Sequence, residues 1–353
     1  MEPALNPVVS LLTDAARAGH TVLPCDVVLK RCTQSDADAA IADGSVVDVE
    51  WRGAPAWALT DVAESEELLA DGLAGLAEEN RLAIVVGPDP AGRRVALARA
   101  LDASTPSVVL DEAHRLGLDD VLGAVEDLAE DAVLVLALDN ALPLAEVPGA
   151  VALDIASTGA CPVIVGDTER DARALGLARA SVASGTWPSA RADDRTFVAV
   201  AAASPDEALL RVTQIVRTSI PRAFGLGPAD IAVLPWDADG PAGAAALTAA
   251  LAAAGASAGA AAGDGDQGGV TVVPLREVGD RTWPAAVVVL PGVVPPGLTR
   301  ASVYAALRTG IDHVSVVHGF GPDAGPLAEA VATTSDRPRR TRLATLITEA
   351  RTP

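Results

Sequence analysis

Four short runs, Leu82–Gly87, Ser107–Asp111, Ala132–Leu138 and Cys161–Gly166, are apolar at nearly every position, and helical stretches separate them. A run that is apolar throughout, rather than at alternate residues, is buried on both faces. Helical connections make such strands parallel. The intervening stretches Arg94–Leu101, Leu118–Ala129 and Gly149–Ser157 carry apolar residues at helical spacing. The alternation resumes further on, with strand candidates Phe197–Ala202, Ile231–Pro235, Val270–Leu275, Ala285–Leu290 and His313–His318. Between the two halves, Gly185–Arg195 turns polar, with Pro188, Ser189 and the Asp193–Asp194 pair. These features predict two parallel α/β domains in tandem.

The first 80 or so residues read differently. Pro7–Arg17 and Glu64–Asn80 are amphipathic helices, and Val46–Trp51 is a short stretch of strand character. The expected division is a helical N-terminal region over 1–80, a first α/β domain over 81–190 and a second over 191–353. Within the second, Asp206–Ser219 is the clearest helix, and the Ala/Gly-rich stretch Ala253–Gly269 reads as a linker.

Charge limits the partners. The chain has 353 residues, with 47 Asp and Glu against 26 Lys and Arg, a net charge of −21. A field of that sign repels phosphate backbones, so weak or no direct DNA binding is expected. Aromatic residues make up only 3 %, leaving few faces on which bases stack. Cys25, Cys32 and Cys161 lack disulfide or metal-ligand spacing, and no apolar segment is long enough to cross a bilayer. No signal-peptide pattern opens the sequence, so the expectation is a cytoplasmic protein without membrane contact.

One segment has the outline of a phosphate-binding loop. In RLAIVVGPDPAGRRVALARAL (81–101) a strand ends at Gly87, a Gly/Pro turn follows, and a helix opens at about Gly92. Gly87 and Gly92 match the spacing of G-x-x-x-x-G-K-[ST], in which backbone N–H groups and a helix N-terminus cradle phosphates. Arg93, however, stands at the lysine position and Arg94 at the magnesium-binding hydroxyl position. Lys30 is the only lysine of the chain, so no other residue supplies that group. The next strand, SVVLDEAH (107–114), ends in Asp111–Glu112. In nucleotide hydrolases such a pair holds the metal and orients the attacking water. Here Arg93 and Arg94 are expected to pair with these carboxylates instead, and no metal site is assigned. His114 reads as a turn residue, His313 and His318 as structural, and Tyr304 as core. The arginines at 337, 339, 340 and 342 form the one basic run, equally suited to phosphate or to the chain's own carboxylates.

The order of segments resembles RecD-like superfamily 1 DNA helicases from about residue 60 onward. Residues 132–163 are similar to that family's third motif region, 204–236 to the opening of its second motor domain, 283–291 to the strand after motif V, and 300–319 to motif VI. The resemblance implies two RecA-like, P-loop NTPase-type domains. It also implies ATP and Mg²⁺ as cofactors if the site is intact, and a context in DNA repair or recombination alongside protein partners.

The departures concern the catalytic letters. Motif V in the family reads roughly T-V-H-K-x-Q-G-S-E-[FW]. Here it is PLREVGDRTW (274–283), with only Trp283 in agreement. Motif VI, Y-T-A-x-T-R-A, is YAALRTG (304–310), so Thr309 occupies the place of the phosphate-sensing arginine and Arg308 lies beside it. The reading is therefore a motif-depleted, non-catalytic relative. Its nucleotide-site residues are Gly87, Gly92, Arg93 and Arg94, its remaining catalytic carboxylates Asp111 and Glu112, and its possible sensor Arg308. The alternative is an active ATP-dependent helicase or translocase that uses arginine for the loop lysine.

Overall fold

The structure is a computed structural model describing residues 5–88, 90–102, 104–144, 147–166, 173–189, 193–255, 258–259, 269–279, 281–290, 292–293, 295, 297–321, 324–333 and 339–352. They form two compact units. One contains the described residues up to 166 together with 339–352, and the other those from 173 to 333.

The first unit begins with α1 (Pro7–Arg17), β1 (Leu23–Pro24), α2 (Cys25–Val28) and α3 (Gln34–Ala42), followed by a hairpin of β2 (Val46–Trp51) and β3 (Ala54–Leu59). These strands pair antiparallel in the order β1-β3-β2. The N-terminal region is thus not purely helical. Arg52 and Gly53 both have positive φ, +53° and +76°, as a two-residue hairpin turn requires so that its twist matches the flanking strands. Trp57 anchors this layer, buried with Val8, Leu12 and Val28, and its indole N–H donates to Asp48.

Next come α4 (Thr60–Glu78), β4 (Leu82–Val86), α5 (Pro90–Ala100), β5 (Ser107–Leu110), α6 (Leu118–Glu126), β6 (Val133–Leu138), α7 (Val151–Thr158) and β7 (Val163–Val165). The four strands are parallel in the order β5-β6-β4-β7. From β4 the chain builds β5 and β6 on one side and then crosses to β7 on the other. The carboxyl end of β4 is therefore a topological switch point, where open parallel sheets form their crevice.

The first unit is completed by the end of the chain, a departure from the expected 191–353 domain. The C-terminal helix Leu343–Ala350 packs on α4 and α7, with Leu343 and Ile347 fully buried among Leu69, Leu73 and Ile155. Its approach is held by polar contacts. Glu66, fully buried, accepts from the backbone N–H groups of Arg342 and Leu343, the Arg342 guanidinium and the Thr21 hydroxyl. Arg339 donates to the carbonyls of Val147 and Gly149 and lies so close to Gly19 that a Cβ there would overlap its guanidinium. The described arginines at 339 and 342 thus serve the chain's own backbone and carboxylates; Arg337 lies outside the described residues.

The second unit has six parallel strands. In chain order it contains α8 (Ala174–Ala183), β8 (Phe197–Ala201), α9 (Pro205–Gln214), α10 (Ile220–Phe224), β9 (Ile231–Pro235), α11 (Ala244–Ala253), β10 (Ala258–Gly259), β11 (Val270–Val272), β12 (Trp283–Leu290), α12 (Arg300–Arg308), β13 (Gly310–His318) and α13 (Gly325–Ala332). The sheet order is β10-β11-β9-β12-β13-β8, parallel throughout. Of the stretch read as a linker, Ala258–Gly259 forms an edge strand; 256–257 and 260–268 lie outside the described residues. The two-domain parallel α/β architecture expected from the apolar runs is present in both units.

Candidate functional site at the strand ends of the first unit

The helix after β4 starts at Pro90 rather than at about Gly92. Proline fits the first helical turn, where its missing N–H has no partner to lose. Gly92 therefore lies inside the first turn of α5, and the connection from β4 covers only residues 87–89. The backbone here is tightly apposed. A Cβ on Gly87 would lie 3.4 Å from the Gly166 Cα and 3.5 Å from the Arg93 Cγ, and one on Gly166 would lie 3.3 Å from the Arg93 N and the Val86 O. The lack of side chains at the ends of β4 and β7 thus admits Arg93 close to the backbone.

Arg93 is the centre of the arrangement. Its side chain is 2 % exposed. One terminal nitrogen donates to the Gly87 carbonyl at 2.8 Å; the other donates to Asp111 at 2.7 Å and Glu112 at 2.5 Å. These partners stand at the carboxyl end of β4 and just past that of β5. One guanidinium therefore closes the space between the two strand ends and neutralises part of the paired negative charge. Charge-assisted bonds of this kind are roughly twice as strong as neutral ones.

The electrostatics follow the geometry. Burial opposes ionisation of Asp111, but the Arg93 hydrogen bond and the Glu112 N–H outweigh it, so the carboxyl sits below its ordinary range. For Arg93, burial is likewise overcome by the two carboxylates, which raise its pKa. Arg94, one residue on and about 100° round the helix, is exposed and acts on Asp111 through its charge. The expected double clamp is thus made by Arg93, not by both arginines.

Glu112 adopts a left-handed backbone conformation, φ +53°, uncommon for a residue with a Cβ. It turns the chain into the short 3₁₀ turn Ala113–Arg115, which buries His114 with its Nε2 3.5 Å from Glu112. Asp139, at the end of β6, was not singled out in the sequence although LALDN ends an apolar run much as SVVLDE does. It is 1 % exposed and accepts from the Ala141 N–H. Three adjacent strand ends therefore carry Gly87, Asp111–Glu112 and Asp139. No group of three or more His, Cys, Asp or Glu side chains among the described residues is arranged to hold a metal ion.

The remaining candidate, Arg308, belongs to the second unit, where it is half-buried at the last position of α12. Thr309 is buried, with its hydroxyl donating to the Ala306 carbonyl and its own carbonyl accepting from the Trp283 N–H. Tyr304 is core, as expected.

The fold and this site define a chain of two parallel α/β units, with a buried arginine at the switch point of the first. No protein-family model matches the chain, and no curated protein matches it. Among solved structures it is similar to Arterivirus nonstructural protein 10 (helicase), at 11 % identity and a TM-score of 0.34, over 80 % of this chain and 72 % of that one. A complex of the Arterivirus helicase with DNA is similar at 13 % identity and the same TM-score of 0.34, over 80 % of this chain and 74 % of that one.

Proposed function

We propose that the chain is a motif-depleted relative of RecD-like superfamily 1 helicases that works as a non-catalytic binding or regulatory module, through protein partners in DNA repair or recombination. The observation that carries the reading is the Arg93 guanidinium, buried at the switch point and bonded at once to Asp111, Glu112 and the Gly87 carbonyl. A nucleotide phosphate seated there needs backbone N–H groups and a slim cation. This chain instead offers a shortened turn and a planar guanidinium already committed to two carboxylates.

ATP with Mg²⁺ therefore does not fit the residues present. Arg94 takes the position of the metal-binding hydroxyl, and a nucleotide would have to break three hydrogen bonds to displace Arg93. Hydrolysis in such motors also needs cationic stabilisation of the transferred phosphoryl group, and losing one such group costs ~10²–10³ in rate. The helicase context and its link to DNA rest on the order of sequence segments, not on site chemistry.

The test is a DNA-stimulated ATPase assay beside titration of a fluorescent ATP analogue with and without Mg²⁺. The expected outcome is neither turnover nor Mg²⁺-dependent binding. DNA-stimulated turnover above ~1 s⁻¹ would overturn the reading in favour of a working motor.

A further inference from the structure

The second unit contains a cleft of about 590 Å³, within the roughly 300–1,000 Å³ usual for small-molecule sites. Its wall is one side of the helical run from α9 to α10, and its floor is the edge strand β8 with its neighbour β13. Between α9 and α10 the helix passes through a π turn, Ile215–Ser219. Such turns are rare and are found frequently at functional sites.

Two further observations distinguish the cleft from a packing gap. Arg195 and Arg222 line it, and neither has an ion-pair partner among the described residues. In a chain of net charge −21, unpaired cations facing one cavity stand out; the neighbouring Arg211, by contrast, is paired with Glu207 at 3.2 Å. The floor is also polar where a parallel sheet is ordinarily apolar. His313 and Ser315, each 3 % exposed, lie on the same face of β13.

The hydrogen bonds of His313 set what that floor offers. Its Nδ1 lies 2.7 Å from the Arg195 carbonyl, which only accepts, so Nδ1 carries the proton. Nε2, 2.7 Å from the Ser315 Oγ, therefore accepts the serine hydroxyl. Burial lowers the His313 pKa and keeps the ring neutral at pH 7, preserving this tautomer. With its proton committed, the Ser315 oxygen faces a ligand as an acceptor. Phe224, its ring 4.8 Å from that of His313, adds an aromatic wall.

We propose that this cleft binds a phosphomonoester of an amine-bearing heteroaromatic, of the nucleoside monophosphate class. Arg195 and Arg222 hold the phosphate, Phe224 packs the ring, and Ser315 accepts from an N–H of the exocyclic amine. The site involves none of the strand-end residues of the first unit and stands apart from the reading proposed for them.

The experiment is calorimetric titration of the full chain with AMP, ribose 5-phosphate and a single-stranded oligonucleotide. AMP is expected to bind saturably with a Kd below ~1 mM. The double variant Arg195→Ser/Arg222→Ser, whose side chains are exposed, is expected to fold normally and bind AMP at least ~10-fold more weakly. Ser315→Ala is expected to weaken AMP but leave ribose 5-phosphate unchanged, a split that general loss of structure does not produce. Absence of saturable AMP binding overturns the proposal, as does binding that survives the double variant. Oligonucleotide binding abolished by the double variant while AMP fails to bind also overturns it, making the cleft a strand-contact surface.

Discussion

Arg93 illustrates how one side chain can reverse the character of a site while the backbone around it keeps its outline. Removing it by Arg93→Ala strands a buried carbonyl at Gly87 and leaves Asp111 and Glu112 facing each other. A loss of about 2–3 kcal/mol is expected by urea unfolding, since Arg93 itself is buried but its carboxylate partners are partly exposed. The acid limb offers a second measurement. The Asp111 carboxyl is depressed in the folded state, so its contribution is present at neutral pH. It is lost as pH falls below the ordinary value of 3.8 through the lower folded value. Arg93→Ala should flatten that part of the stability profile. That an arginine would meet Asp111 and Glu112 was legible from residue types and the loop-to-strand spacing. That Arg93 alone does so was not, because the helix phase depends on a start at Pro90 that the glycine spacing does not reveal.

At the scale of elements, the C-terminal helix is the least expected part of the molecule. Its apolar face, Leu343 and Ile347, is visible as a pattern, but nothing local says which sheet it covers. Ile347→Asp places a charge in a fully buried position and is expected to cost at least about 3 kcal/mol, read as early unfolding of the first unit in a thermal scan. A titratable group lies under the same junction. Burial, opposed by a hydrogen bond from Thr341, raises the Asp154 carboxyl from 3.8 to about 6. A raised acid stabilises the fold in its protonated form, so this contribution is present below 3.8 and lost as pH rises through about 6. Asp154→Asn should therefore be more stable than the parent at pH 7.5, by about 1–2 kcal/mol, with the advantage vanishing near pH 4. Equal unfolding midpoints at both pH values would contradict this assignment. The β2–β3 hairpin was half legible: Val46–Trp51 reads as a strand, but its partner is disguised by alanine and proline.

For the whole molecule, the acidic balance governs what the surface meets. With a net charge of −21, single-stranded DNA is expected to bind no tighter than ~10 μM at ~0.15 M salt, measured by fluorescence anisotropy. Tighter binding would require a local basic surface strong enough to overcome that field. None of the described helices is long and apolar enough to cross a membrane. The apolar runs separated by helices were sufficient to indicate parallel strands. In the first unit β4 and β6 are buried as such runs imply, whereas the edge strands β5 and β7 leave Val108, Val109, Val163 and Val165 exposed, because a strand's place in the sheet order is not written in its own residues. The residue types at 87–94 and 111–112 likewise determined which charges are available near the first loop. Only the tertiary structure decided that residues 339–352 close the first unit, that Arg93 fills the switch point, and that His313 and Ser315 floor a cleft beside unpaired arginines. The first and last of these join residues far apart in the chain, and long-range packing, unlike periodicity, leaves no local signature. Arg93 meets partners 6 to 19 positions away, and there the helix phase was what the sequence did not reveal.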